Sequence, residues 1–504
     1  MKAKLFLLIG CSFLTITSCE LNVEPSDAVT TTTLVTTSDG LRNAVNGAYA
    51  LFKDHISFNG QTDQNLMYLR QYYHLSDFAS DDIVSGQVTT DPLYYSFSLD
   101  HSPAQTNTRY FWYISYKIIN GLNTVIDAAE KIDNPDAATQ QLLGECYFLR
   151  AFCHFNLVRF YAKPYTHNPD APGIILRTSL DDDAQKARAT VKEVYASVIA
   201  DAEKGATLMT QPRGVQYASQ AAAWSLLSRV YLYQEENQKA LDFATRVINS
   251  NKYTLETAAS YPTLFANATA SQETIWAIAF TNVDDYGKFG SIASMIYSNG
   301  NSGWGEEFAS PSLRALMSAH PEDVRWSYIV PLRDENNAVK KLNGLEIYYI
   351  SKFSGQNGSP TLSSPIMFRL AEIYLTRAEA NAKLGNTTAA LQDVDMIRQN
   401  RGLANALYQG QLPANQTALD VVLQERRLEL AFEGHRTFDV YRNKRNLDRT
   451  YWGYHLPGLK ESDINLAQQP GNYPNLVVNW DNPRIIYYLP IDEILTNKLA
   501  QQNE

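Results

Sequence analysis

Two stretches decide the fold: QAAAWSLLSRVYLYQEENQKALDFATRVI at residues 220–248 and MFRLAEIYLTRAEANAKLGNTTAALQDVDMIR at residues 367–398. Each reads as two helices of 3.6-residue period joined by a short polar turn. In the first, Ala221, Leu227, Tyr231, Ala240, Leu241, Ala244 and Val247 fall on inward positions. In the second, Leu370, Tyr374, Ala378, Leu384, Gly385, Ala390, Leu391 and Val394 do the same. Small residues at the crossing with large ones beside it are the pattern of tetratricopeptide-type hairpins. One such hairpin cannot bury its own apolar face, so several must stack.

Working outward, helical periodicity predicts further helices near 39–55, 105–132, 137–161, 190–208 and 416–434, with a closing helix after Pro490. The helices at 39–55 with 105–132, and 137–161 with 190–208, read as degenerate pairs carrying long insertions. From about 251 to 362 the texture changes to Gly, Ser, Asn and aromatics, with strand-like pieces ETIWAIAF (273–280) and LEIYYISKF (345–353). The expected fold is therefore mainly α: a tetratricopeptide-like helical-hairpin scaffold with a large loop-rich insertion carrying short strands. The domain plan is a signal peptide at 1–18, a flexible tether at 19–38, an N-terminal helical region at 39–250, and a C-terminal region at 251–504 that carries the insertion at 251–362.

The N-terminus sets the compartment. Lys2 and Lys4 precede an apolar run from Leu5 to Ile16, too short to span a bilayer, and LTITSCE (14–20) follows. Ile16 and Ser18 before Cys19 resemble a lipoprotein box, in which the cysteine thiol receives diacylglycerol and becomes the first mature residue. An ordinary secretory signal with a chance cysteine is the competing reading. Two or three acyl chains, at roughly 0.8 kcal/mol per buried methylene, give lasting attachment to a membrane. Glu20, Glu24 and Asp27 resemble the acidic residues that route such lipoproteins to the cell surface. Of four cysteines, Cys11 leaves with the signal. Cys146 and Cys153 lie seven apart on a predicted helix, roughly 10 Å between Cα atoms and beyond disulfide reach, so both are expected as free buried thiols.

The formal charge of −10 becomes −12 once Lys2 and Lys4 are removed, and no basic run offsets it. Nucleic-acid binding and adhesion to an anionic membrane are disfavoured. No second apolar stretch approaches transmembrane length. The chain holds 31 Tyr and seven Trp, residues that suit both interfaces and sugar stacking, though many serve simply as packing between helices. There is no GxSxG elbow, P-loop, HExxH or helix-opening GxGxxG, and no metal-ligand spacing. No catalytic residue, metal or cofactor is indicated. In LQERRLELAFEGHRTFDVYR (423–442), Glu425, Glu429, Glu433, Arg426, Arg436 and Arg442 are read as scaffold ion pairs, and Gly434 as a helix C-cap.

Seven segments in order resemble the SusD/RagB family: GECYFLRAFCHFNLVRFYAKPY (144–165), TVKEVYASVIADAEKG (190–205), ASQAAAWSLLSRVYLY (218–233), FRLAEIYLTRAEA (368–380), IRQNRGL (397–403), the 423–442 motif, and YYLPIDEILTN (487–497). Ala162-Lys163-Pro164 replaces the turn that commonly follows the first motif. The resemblance implies a non-catalytic surface lipoprotein of the outer membrane, anchored at Cys19, that captures oligosaccharide or polysaccharide. It also implies handover to a SusC-like TonB-dependent β-barrel transporter. Capture of peptides in the same lid role, a surface glycoside hydrolase with dispersed carboxylates, and a pure tetratricopeptide adaptor are the alternatives.

In the family the ligand face lies on the loop-rich side. A sugar site there needs aromatic planes flanked by hydrogen-bonding side chains, and the irregular segments offer Asp82, Tyr94, Tyr95, Asp285, Tyr286, Tyr297, Asn301, Trp304 and Trp326. Trp304 ranks first, because Gly303 and Gly305 leave its ring free at a loop tip.

Overall fold

The computed structural model describes residues 37–61, 65–87, 91–455 and 476–504. The proposed signal, Cys19 and nearly all of the tether lie outside the described residues. Helices are the dominant element: α1 Ser38–Ala50, α2 Tyr68–Asp77, α3 Thr106–Glu130, α4 Ala137–Tyr161, α5 Val191–Leu208, α6 Gln220–Tyr233, α7 Asn237–Asn249, α8 Leu370–Lys383, α9 Thr387–Asn400, α10 Ala418–Glu429 and α11 Arg436–Arg442. Their starts are written in capping residues. Asp136 accepts the Thr139 N–H at 2.7 Å, Ser219 accepts that of Ala222, and Thr190 with Glu193 and Thr417 with Asp420 form reciprocal capping boxes.

Successive helices stack side by side from α3 through α7, and α7 packs directly on α8. The hairpins α6–α7 and α8–α9 therefore sit next to each other although the insertion separates them in sequence. The pairing of α4 with α5 holds because Gly144 and Gly205 face each other: a Cβ on Gly205 would lie 2.8 Å from the Gly144 carbonyl. Leu384 departs from its expected inward position. It caps α8 and is 41% exposed, while Gly385 takes the left-handed turn at φ +81°.

The insertion is closed at its base by β2 (Thr274–Ala277), antiparallel to β6 (Ile366–Arg369), which runs straight into α8. It is tied to the N-terminal half by β1 (Ile83–Ser85) against β3 (Glu307–Ala309), and internally by β4 (Ile329–Pro331) against β5 (Tyr348–Ile350). Trp276 of β2 is buried edge-to-face between Phe148 and Phe152 of α4, at 4.9 and 5.0 Å. One apolar core thus runs from the helices into the insertion. Cys146 and Cys153 are free and buried within it. Helix α2 was not expected from the sequence, because all ten of its residues are buried and no polar face marks the period.

The 416–434 helix expected from the sequence ends at Glu429. Phe432 (φ +69°) and Gly434 (φ +75°) turn the chain before α11 starts. Gly434 is therefore not a C-cap. It sits in this turn against α2, where its N–H donates to Asp77 Oδ1 at 3.1 Å and an added Cβ would meet Ser76 and Tyr72. The expected scaffold pairing of Glu425, Glu429 and Glu433 is present on a larger scale. Five cations (Arg325, Lys352, Arg369, Arg398, Arg401) interlock with five carboxylates (Glu273, Asp323, Glu425, Glu429, Glu433), all buried. This network joins the insertion and β6 to α9 and α10. Arg426 and Arg442 pair with Glu379 and Asp439, and Arg436 with Asp81.

Candidate functional site

The insertion presents two large rings to solvent in contact with one another. Trp304 is 44% exposed and Phe289 is 57% exposed, meeting edge-to-face with centroids 5.6 Å apart. Lys288 places its ammonium 4.1 Å from the Trp304 ring centre, a cation–π contact that holds the indole plane and adds a donor at its edge. Phe289 was not singled out from the sequence. It lies in the short helix Gly287–Gly290, and a lone Phe between glycines carries no periodic signal.

The backbone beneath Trp304 is fixed. The Trp304 and Gly305 N–H groups both donate to the Ser294 carbonyl, at 2.6 and 3.2 Å, and Glu306 N–H donates to that of Met295. The flanking glycines serve close packing more than freedom. A Cβ on Gly303 would stand 2.0 Å from the Tyr297 carbonyl oxygen, and one on Gly305 (φ +58°) 2.7 Å from Tyr349. With neighbours that cannot carry side chains, the indole is the group that projects. Trp304 is thus presented by a braced strand entry and not by a free loop tip.

The other expected residues divide between this face and the scaffold. Tyr286 stacks on His55 with centroids 3.8 Å apart, while Asp285 accepts from Ser359 and Thr361 and holds the loop in place. Tyr297 is partly buried against Tyr349 at 5.9 Å, and Asn301 is exposed on the adjoining turn, where Asn299 Oδ1 accepts the Asn301 and Ser302 N–H groups. Glu306 sits two residues beyond Trp304. Burial pushes its carboxyl above the usual range, with Asp91 adding to the rise and Gln87 opposing it.

Asp82 is elsewhere in role: it is buried and receives Arg427 Nε at 2.7 Å as part of a scaffold ion pair. Trp326 lies half-buried in the turn Val324–Tyr328 beside the buried charge network. Tyr94 donates its hydroxyl to the Tyr454 carbonyl at 2.9 Å, whereas Tyr95 is open to solvent. The structure therefore brings Trp304 together with Phe289 and Lys288, with the Tyr297 carbonyl packed under Gly303 and Asn301 on the preceding turn, whereas Asp82 is paired with Arg427 and Trp326 lies in the turn Val324–Tyr328.

A groove of about 650 Å³ also runs along α3, between Trp112, Tyr113, Tyr116 and the C-terminal Asp492 and Glu493. Its polar groups already engage each other: Arg109 grips Asp492 at 2.7 and 2.9 Å, and the Trp112 indole donates to Glu493 at 3.2 Å. Among the described residues no helix is long and apolar enough to cross a membrane.

Residues 325–504 match the family model described as the SusD family, and residues 21–232 match the one described as starch-binding associating with outer membrane. The chain is 26% identical over 488 residues to SusD-like protein P38 of Formosa agariphila, covering 88% of this chain and 91% of that protein. SusD-like protein P2 of the same organism is also 26% identical, over 87% of this chain and 89% of its own length. A crystal structure of a SusD superfamily protein from Bacteroides thetaiotaomicron superposes with a TM-score of 0.80 at 27% identity, over 93% of this chain and all of the other. With its two halves matched in order and its fold reproduced nearly end to end, the chain belongs to the SusD family.

Proposed function

We propose that this protein is a non-catalytic glycan-capture lipoprotein of the outer-membrane surface, anchored by lipid on Cys19. In this role it hands oligosaccharide to a SusC-like TonB-dependent β-barrel transporter. The observation that carries the reading is the exposed Trp304–Phe289 pair, held open on a braced backbone with Lys288 at its edge. Two flat apolar rings left in water cost free energy, roughly 25 cal/mol per Å² of apolar surface, and a pyranose recovers it by laying its C–H face on them. The Lys288 ammonium beside the rings offers hydrogen bonds to sugar hydroxyls, and the exposed Asn301 on the adjoining turn adds a further donor and acceptor. The family model described as starch-binding supports the same ligand class. The acidic residues after Cys19 support surface exposure, and the lipid tether suits a lid that stays with its transporter while it opens and closes.

The test is binding of the protein to immobilised neutral polysaccharides and, in parallel, to a peptide library. Trp304→Ala and Phe289→Ala are expected to lose at least tenfold in polysaccharide affinity with unchanged melting. Wild-type affinity in both variants refutes this placement, and binding to peptides alone replaces the glycan with a peptide cargo. Co-purification with a large β-barrel from detergent-solubilised membranes tests the partner.

A further inference from the structure

The strand pair β1–β3 fastens the insertion to the N-terminal half, and one carboxyl is sealed into its end rung. Glu307 of β3 lies opposite Ser85 of β1, and both residues are fully buried. Among the described residues Glu307 belongs to no ion pair, and its Oε2 has no hydrogen-bond partner. Its side-chain contact is with Ser85 Oγ, 3.4 Å from Oε1. A serine hydroxyl carries a single proton. That of Ser85 goes to the Gln87 carbonyl at 2.8 Å, which leaves Ser85 Oγ as an acceptor toward Glu307. The Glu307–Ser85 contact is then a hydrogen bond only when Glu307 holds a proton and donates it. Ionised, Glu307 would be a buried charge facing a lone pair, with neither donor nor cation to offset its lost hydration.

The surroundings favour the neutral acid. Burial pushes the Glu307 carboxyl well above its usual range, and Glu306 on the same strand and Asp91 across from it add to the rise. The nearby cations serve the neighbours: Arg70 of α2 lies 3.6 Å from Asp91, and Lys288 acts on Glu306. Tyr94, on the short helix Tyr94–Ser98, is raised by its own burial and then by Glu307.

The rung is tied to the candidate binding face through the backbone. Gly86 N–H donates to the Glu306 carbonyl and Ser310 N–H to the Asp82 carbonyl, both at 2.8 Å, so the bonds between the two segments flank Glu307 on either side. Trp304 lies three residues before it on the same segment. A charge formed on Glu307 is relieved by parting the two strands and admitting solvent, and the Trp304 entry moves with β3. We propose that the proton on Glu307 is a latch: while it is in place β1 and β3 stay paired and the Trp304 face is set, and its loss to solvent lets the pair open. A carboxyl raised in the folded state stabilises the fold most at and below its unfolded value of about 4.3, and that contribution is lost as the pH climbs to the folded value. The latch therefore loosens with rising pH.

The experiment is amide hydrogen exchange of the full chain in detergent from about pH 5 to about pH 9, each rate divided by that of the unstructured peptide at the same pH. Segments 82–87 and 304–310 are expected to lose roughly tenfold or more in protection over that range, while α4 stays constant. Glu307→Gln keeps the shape and gives Ser85 a permanent donor, so its protection is expected to stay flat. Glu306→Gln removes a like charge and is expected to show a smaller fall than wild type. No fall in the wild type, or a fall of wild-type size in Glu307→Gln, overturns the latch. If Glu307→Gln fails to fold, Glu306→Gln decides, and a fall as large as that of wild type overturns the proposal. Sugar binding is not a readout here, so a failed latch leaves the glycan proposal standing and a failed glycan proposal leaves the latch.

Discussion

Removing Glu429 from the buried charge network tests the reasoning about this fold most directly. Its carboxylate is fully buried and receives Arg401 Nη2 at 2.8 Å, Arg369 Nη1 at 2.5 Å and Arg325 Nη1 at 3.4 Å. In Glu429→Gln the volume is kept, but five cations then face four carboxylates in a region that water does not reach. Breaking a buried ion pair by deleting one partner costs about 3–5 kcal/mol, because the remaining charge is left uncompensated. The expected loss is therefore about 4 kcal/mol, against at most about 1 kcal/mol for deleting the exposed Lys131–Asp127 pair on α3. Urea unfolding followed by tryptophan fluorescence measures both.

The same residue sets an acid limb. Burial raises the Glu429 carboxyl, but Arg401, Arg369 and Arg325 outweigh it and hold the group well below its ordinary value. A carboxylate depressed in the folded state contributes stability that is fully present above its unfolded value of about 4.3 and fades as the pH falls toward the folded one. Wild type is thus expected to lose stability below about pH 4, and Glu429→Gln to show a shallower loss there. A Glu429→Gln protein within about 1 kcal/mol of wild type at pH 7, or with an unchanged acid limb, refutes the argument that this network is desolvated and balanced.

Three further outcomes follow from the same geometry. Gly303→Ala places a Cβ against the Tyr297 carbonyl, so the turn must shift; polysaccharide affinity is expected to fall at least tenfold by titration, whereas Asn301→Ala changes it less. Asp82→Ala leaves Arg427 short of a partner in a buried setting and is expected to cost roughly 3 kcal/mol in urea, with sugar affinity unchanged; a lost affinity would return Asp82 to the binding face. Cys146 and Cys153 are pushed up by burial and are expected to resist a thiol reagent in the folded protein and to react together on unfolding; rapid native labelling of either contradicts their place in the core.

The sequence alone determined the helical scaffold and its family, because hairpin periodicity, capping residues and small-residue crossings are local signals. Helices α3 to α9 fall close to where the 3.6-residue pattern puts them, and Asp136, Thr190 and Ser219 mark the starts of α4, α5 and α6. Helix α2 escaped this reading because it is buried on every side, and the 423–442 motif hid a turn because Phe432 and Gly434 bend a chain that is helical in composition. Trp304 was legible as an aromatic between glycines, although those glycines proved to be packing contacts. What only the tertiary structure decided is which aromatics face water. Exposure depends on what long-range neighbours cover: Asp82 is claimed by Arg427 from α10, Tyr94 by Tyr454, and Trp276 by two phenylalanines of α4, while Phe289, Trp304 and Tyr95 are left open. Those contacts join residues more than a hundred positions apart, and no local pattern of residue types encodes them.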